Sequence, residues 1–282
     1  MFAVIGFIVV LGSVVGGYVL EDGNLHVLYQ PIELLIIGGA ALGSFFIASP
    51  SGVIFTTLKT IATIFGGEPA KAQYLELLTL MNRIFAKIRK EGLVSIEEDV
   101  ENPHESPMFT QAPGLLKNHH VVTFLCDNLR VIMTTNISPH ELEAVMDMEL
   151  DSHHEEAMIP AQAITRIADG LPALGIVAAV LGVVITMGKI SEPPEVLGHS
   201  IGAALVGTFL GVLLAYGFVG PIGTNLEYKA RESAILYHII KVALVAFVGG
   251  SAPQVAVEFG RRVVSGNGKP DFLELEEALR NK

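Results

Sequence analysis

Between Leu171 and Leu226 the chain carries two long uncharged stretches, LPALGIVAAVLGVVITMG and SIGAALVGTFLGVLLAYGFVGPIGTNL, joined by KISEPPEVLGH. Neither stretch contains a Lys, Arg, Asp or Glu. At about 1.5 Å rise per residue, each is long enough as a helix to cross roughly 30 Å of hydrocarbon. Small residues recur in helical register along them. Ala203, Gly207, Gly211 and Ala215 follow one another at intervals of four, and Gly175 with Ala179 does the same on the first arm. Lipid supplies no hydrophobic drive between helices, so such rows let backbones approach closely. Thr208 lies inside the row, near the middle of its span, where a hydroxyl can meet a polar group or a partly hydrated ion. The hairpin reads as a wall along which something passes.

The totals agree with a membrane protein. The chain is 51% hydrophobic and has no Trp, and its mean hydropathy is +0.53. A formal charge of −11 leaves no basic patch to neutralise phosphates, which excludes nucleic acid as the expected partner. The single cysteine, Cys126, excludes an internal disulfide and a cysteine metal cluster.

Two further spans precede the hairpin. Residues 1–20 hold an uncharged run from Phe2 to Leu20, and no Lys or Arg stands before it, which argues against a signal peptide. A turn at 21–32 leads to a second span at 33–55, with turn chemistry at Ser49-Pro50-Ser51-Gly52. Gly12 with Gly16 and Gly39 with Gly43 form close-packing pairs on these spans. Residues 56–168 are charged and amphipathic and read as a large helical domain. Tyr74–Lys90 places Leu77, Leu78, Met81, Ile84, Phe85 and Ile88 on one face. His119–Thr134 reads as another helix. Ser138-Pro139-x-Glu141 opens an acidic helix running toward Ile159. The third and fourth spans occupy 169–188 and 200–224 around a turn at 189–199. The segment 225–282 is a helical tail, whose apolar piece Ala234–Gly250 reads as a core helix rather than a fifth span. It is short, and it contains His238 and Lys241.

Charge sets the expected topology. Of 18 Lys and Arg, nine fall in 56–168 and eight in the tail. The turn at 21–32 has none, and the hairpin turn has only Lys189. The positive-inside rule places the inserted domain, the tail and both termini in the cytoplasm. The fold class is therefore all-α: a polytopic membrane protein with four transmembrane helices and a large helical cytoplasmic domain. Pro172 and Pro221 then fall at matched depth at the cytoplasmic mouth of the hairpin, where proline-induced bends can pass movement to the domain.

An ion path needs an ionisable group, and within the spans the chain offers Thr186, Thr208, Ser44, Tyr216 and a Glu33 at the outer edge of the second span. A partner helix is expected to bring the missing group. No nucleophile–base set or phosphate loop stands out, so an enzyme is not expected. His119-His120 and His153-His154 are adjacent pairs that cannot share a helix face, so no metal site or cofactor is expected. The string PIGTN at Pro221–Asn225 reads as helix punctuation.

The strings DGLPALGIVAAVLGVV, VGTFLGVLLAYGF, GPIG, IEEDVENP and AVEFGRR, set in four spans with a large insert, resemble the MotA family of flagellar motor stator subunits. The resemblance covers essentially the whole chain. MotA belongs with TolQ and ExbB among ion-driven motors, whose other members typically have three spans. The resemblance implies a multi-pass protein of the bacterial inner membrane, in which five copies surround two MotB helices. MotB brings the membrane aspartate that carries the ion, anchors the unit to peptidoglycan, and forms with MotA a channel that drives the rotor protein FliG. Lipid is the surrounding medium. It further implies that Ala179, Thr208 and Tyr216 line the ion path, with the alanine at 179 favouring H+ over Na+. Pro172 and Pro221 match paired prolines tied to torque. Arg89 and Glu97, flanked by Lys90 and Glu98, match charges that engage FliG. Gly175, Ala203, Gly207, Gly211 and Ala215 fall to helix packing. A TolQ- or ExbB-type energiser of an envelope complex is the alternative.

Overall fold

The computed structural model describes residues 2–66 and 71–280, and among these there is no β-strand. In chain order the α-helices are α1 (Phe2–Leu20), α2 (Leu25–Leu28), α3 (Pro31–Ala48), α4 (Ser51–Ile61), α5 (Lys71–Glu91), α6 (Glu97–Glu101), α7 (Pro113–Leu116), α8 (His119–Thr134), α9 (Pro139–Met187), α10 (Pro194–Leu213), α11 (Gly220–Val248), α12 (Pro253–Val263) and α13 (Phe272–Arg280). A π-helical segment, Leu214–Val219, joins α10 to α11. The chain divides into two compact units: Met1–Gly67 with Ala157–Tyr228, and Glu68–Glu156 with Lys229–Lys282. Helices α9 and α11 contribute residues to both.

Among the described residues, four helical stretches are long and apolar enough to cross a membrane: Phe2–Leu20, Leu25–Ala48, and stretches within Pro139–Met187 and Pro194–Val248. All lie wholly or partly in the first unit. Helix α1 buries none of its residues within this chain, and Gly12 and Gly16 have open space beside them. Gly39 and Gly43 on α3 are equally open. The second apolar stretch is two helices rather than one reaching Phe55. Pro50 disfavours helical backbone at the residue before it, and Ser49 is accordingly extended (φ −124°, ψ 132°) between α3 and α4.

The start expected for α9 is present as a reciprocal cap. Ser138 N–H donates to Glu141 Oε2 at 2.9 Å, and Glu141 N–H donates to Ser138 Oγ at 3.3 Å. The Ser138 N–H, chiefly, holds the Glu141 carboxyl below its ordinary range. The helix does not end near Ile159. It continues through Pro160 and Pro172 to Met187, 49 residues in all. Each proline removes one backbone bond. The flanking residues Ala161, Ile164, Ala168 and Leu171 are buried, so packing holds the helix together. Pro221–Asn225 likewise lies inside α11 and does not end a helix.

The second unit has a conventional apolar core. Leu77, Leu78, Met81, Ile84 and Phe85 of α5 pack with Leu125 and Leu129 of α8 and Ile239, Ile240 and Leu244 of α11. The α5 residues fall on the face that the heptad-like spacing marks out. Phe85 stacks on Phe247 with ring centroids 4.3 Å apart. The apolar segment after residue 234 is thus part of this core. Cys126 is buried in the same core, and burial pushes its thiol up to about 12, which leaves it inert as a nucleophile.

Candidate functional site

In the first unit α9 and α10 meet through their small residues. A Cβ on Gly211 would lie 2.7 Å from the Leu171 carbonyl oxygen and 2.8 Å from Gly175 Cα. One on Gly175 would lie 2.8 Å from the Gly207 carbonyl oxygen, and one on Gly182 would lie 2.7 Å from Ala204 Cβ. The seam therefore runs Gly182–Ala204, Ala179–Gly207 and Gly175–Gly211. Backbone touches backbone along it, an approach that only glycine permits.

The register differs from the four-residue row in one respect. Ala204 is buried at the outer end, and Ala203 is only partly so. A row of i+4 steps drifts by about 40° per step on a helix of 3.6 residues per turn, so it cannot follow one seam for three steps. Ala215 is buried nonetheless, inside the π-helical segment, where the extra residue per turn resets the register.

The seam fixes two of the three residues expected along the ion path. Ala179 is buried, and its backbone nitrogen would lie 3.0 Å from a Cβ on Gly207. Thr208, the next residue, is half-buried. Thr186 satisfies its hydroxyl by donating to the Gly182 carbonyl at 2.8 Å, whereas the Thr208 hydroxyl has no hydrogen bond among the described residues. Tyr216 stands apart from these two. It is 71% exposed and borders a groove of about 300 Å³ that Phe2, Phe7, Val10 and Pro221 also line.

Pro172 and Pro221 both lie within continuous helices. The π-helical segment ends at Val219, two residues before Pro221, with Gly220 N–H bonded to the Ala215 carbonyl. Proline cannot donate the following bond, so two adjacent departures from α-helical bonding fall at this point. One turn on, a Cβ at Gly223 would lie 2.7 Å from Thr165 Oγ1, so α11 crosses α9 closely here.

The charged candidates lie in the second unit. Arg89 and Lys90 occupy the exposed last turn of α5, where cations suit the helix dipole. Glu97 and Glu98 occupy the exposed first turn of α6, where anions suit it. Gly92, at φ 87°, turns the chain between the two helices. Arg89 Nη1 reaches the Ser251 carbonyl at 3.5 Å.

Sequence reasoning missed what holds this surface in place. Buried Asp99 accepts from Lys87 Nζ at 2.7 Å and from Ser106 Oγ at 2.5 Å. Ser106 Oγ in turn accepts the Met108 and Phe109 backbone N–H groups. Arg130 bridges Glu101, Asp127 and the Val100 carbonyl. No local signal in the sequence marked these contacts. No group of three or more His, Cys, Asp or Glu side chains among the described residues could hold a metal.

The fold and the seam define a polytopic helical subunit, with four helical stretches among the described residues long and apolar enough to cross a membrane. The MotA/TolQ/ExbB proton channel family matches residues 117–250, and the motility protein A N-terminal family matches residues 4–92. Motility protein A of Salmonella typhimurium is 43% identical over 281 residues, covering 99% of this chain and 95% of its own. That of Escherichia coli is 44% identical over the same length and the same shares. The chain belongs to the motility protein A family. Its fold is similar to that of Campylobacter jejuni MotAB (TM-score 0.77, 18% identity, 94% of this chain and 96% of that one). It is also similar to the flagellar MotAB stator complex of Bacillus subtilis (TM-score 0.72, 23% identity, 91% of this chain and 92% of that one). Near-full-length relatives named for motility favour a stator subunit over an envelope energiser.

Proposed function

We infer that this chain is a stator subunit of the bacterial flagellar motor, forming with a MotB-type partner an ion channel that converts ion flow into torque. The observation that carries the reading is the seam between α9 and α10. It places buried Ala179 beside Gly207 and leaves the neighbouring Thr208 hydroxyl unbonded, as a channel wall facing a partner helix requires.

The finer reading is as follows. The ion is H+, carried on a carboxylate of the partner, which meets Ala179 and Thr208 on its way inward. Five copies surround two partner helices in the inner membrane, with both termini of each copy in the cytoplasm. The exposed apolar side chains of α1 and α3 face lipid or neighbouring copies. Neutralising the partner's carboxylate removes the cost of a charge against an apolar wall. The ring and the partner helices are then free to turn past each other. The π-helical segment and Pro221, with Pro172 on α9, absorb the movement. Arg89, Lys90, Glu97 and Glu98 press on FliG with charges of both signs set close together, which steers the encounter and fixes its register.

The test is complementation of a host lacking its own stators, with the chain and its MotB-type partner expressed together. Rotation restored by the wild type, lost in Thr208→Trp and accompanied by normal co-purification with the partner supports the channel wall. Undiminished rotation in Thr208→Trp overturns it. Charge reversal at Arg89 and Glu97 together should abolish torque while leaving ion leak through an opened channel unchanged.

A further inference from the structure

We propose that Glu33 is a proton-exchange site carried by this chain itself, set behind the α9–α10 seam in the outer half of the spans. From sequence, Glu33 stands at the outer edge of the second span, and the structure keeps it at that end but encloses it. Glu33 lies in the first turn of α3 and is only 8% exposed. Its Oε2 is buried with no hydrogen-bond partner. That oxygen lies 2.9 Å from where a Cβ on Gly207 would be, and Oε1 lies 3.6 Å from the equivalent point on Gly182. The absence of side chains at these two glycines therefore creates the slot the carboxyl fills. The slot opens on the residue next to Thr208 and on the turn that holds Ala179.

An ionised carboxylate with an unbonded oxygen in this position is costly, and in hydrocarbon such a group is kept for proton or ion handling. The elements packed against it offer no fixed countercharge. Helix α9 has no charged residue between Asp169 and Lys189. On α10 the titratable groups are Glu195 and His199, at least two turns toward the outer end, and α2 carries His26. The carboxyl thus holds a proton at rest and can exchange it only through water or a passing carrier. The step is a simple transfer: the Glu33 O–H proton passes to an acceptor in the path, and the carboxylate takes a proton back from the outer side. Five copies of such a group would form a ring of proton donors just outside the point where the partner's carboxylate loads.

This proposal rests on the stator reading, and the test separates the two. Swimming speed is measured against external pH in the complemented stator-less host for wild type and Glu33→Gln, with co-purification of the partner as the assembly control. Glutamine keeps the size and polarity of the side chain but cannot exchange a proton. The expected result is equal speed near about pH 6 and a loss of about twofold or more in Glu33→Gln near about pH 8, where outside protons are scarce. Coincident curves overturn the role of Glu33 while leaving the stator reading intact. Failure of the wild type to rotate the motor overturns the stator reading and this proposal together. Infrared spectra of the otherwise wild-type complex, with the partner's membrane aspartate replaced by Asn, provide a second measurement that does not depend on the Glu33 variant. A protonated-carboxyl C=O band that shifts in D2O is expected, and a complex without that band overturns the proposal.

Discussion

The two units of this chain are made of the same secondary structure and are held together in opposite ways. The second unit buries large side chains, with Phe85, Phe109, Leu77, Met81 and Leu125 almost wholly enclosed. The first unit encloses Ile37, Ala41, Leu171, Ala178 and Ala215, and leaves Ile5, Ile8, Leu35, Ile47, Val184 and Ile185 exposed. Against water, burying apolar area drives association, so large residues go inward. Against lipid that drive is absent, so the inside is where backbones can approach most closely, and large residues go outward. The α9–α10 seam belongs to the second kind of packing and the charged surface to the first.

The comparison can be broken most severely at Gly211. Valine there would set its Cβ against the Leu171 carbonyl and Gly175 Cα at under 3 Å, contacts that no rotamer relieves because both are backbone. Gly211→Val should abolish rotation and prevent recovery of an intact complex on size-exclusion chromatography. Gly39→Ala, which meets nothing within 4 Å in this chain, should leave the isolated subunit's thermal stability unchanged. Equal damage from the two would mean that the seam is not what holds the spans together.

The second unit should fail in the other manner. Phe85→Ala removes a fully buried ring stacked on Phe247 and should cost about 3–5 kcal/mol of local stability. Hydrogen exchange should accelerate across α5 and α8, whereas the α9–α10 seam stays protected. A smaller effect is expected at Asp99. Asp99→Asn keeps an acceptor for Ser106 but removes the charge that Lys87 meets at 2.7 Å, at a cost of about 1–3 kcal/mol. Because Asp99 anchors α6, the visible consequence should be weaker torque under load at unchanged ion leak, with protein levels close to wild type.

The same contrast explains what was legible in the sequence. The amphipathic period of Tyr74–Lys90 gave the core face of α5 because burial against water leaves a strong apolar pattern. The four spans were readable from uncharged length alone. Helix ends were not. Pro160, Pro172 and Pro221 carry local signals for breaks, and packing against neighbouring small residues overrides them. The close-packing row was seen, but its register was set by which backbone lay opposite, so Ala204 and Gly182 were not separable from their neighbours. The burial of Glu33 was illegible for a related reason. Its environment is made by two glycines far along the chain, and a missing side chain leaves no local signature. Asp99, Ser106 and Arg130 likewise act through partners brought by folding. Ala179, Thr208, Pro172, Pro221, Arg89 and Glu97 came from resemblance. Periodicity alone marked Thr208 and the prolines as unusual, and left the charges as ordinary surface.

The smallest effect separates the two units by pH. His153 packs on the Tyr237 ring with centroids 4.2 Å apart, and burial chiefly, with the neighbouring His120 adding to it, lowers its pKa. The folded state therefore binds this proton less readily than the unfolded chain, whose histidine titrates near about 6.5. The unfolded state carries more protons in that window, so stability rises with pH through it. The contribution is fully present above the unfolded value and is lost as pH falls through the folded one. His153→Phe removes the titration and keeps an aromatic ring against Tyr237. Hydrogen-exchange protection of α8 should thus weaken on moving from about pH 7.5 to about pH 5.5 in the wild type, and weaken less in the variant, after correction for intrinsic exchange. Protection along the α9–α10 seam should follow the same course in both proteins, since none of its residues from Leu171 to Thr186 or from Ile201 to Leu213 titrates. A seam that responded to His153 would show that the aqueous core and the membrane packing share one cooperative unit rather than two.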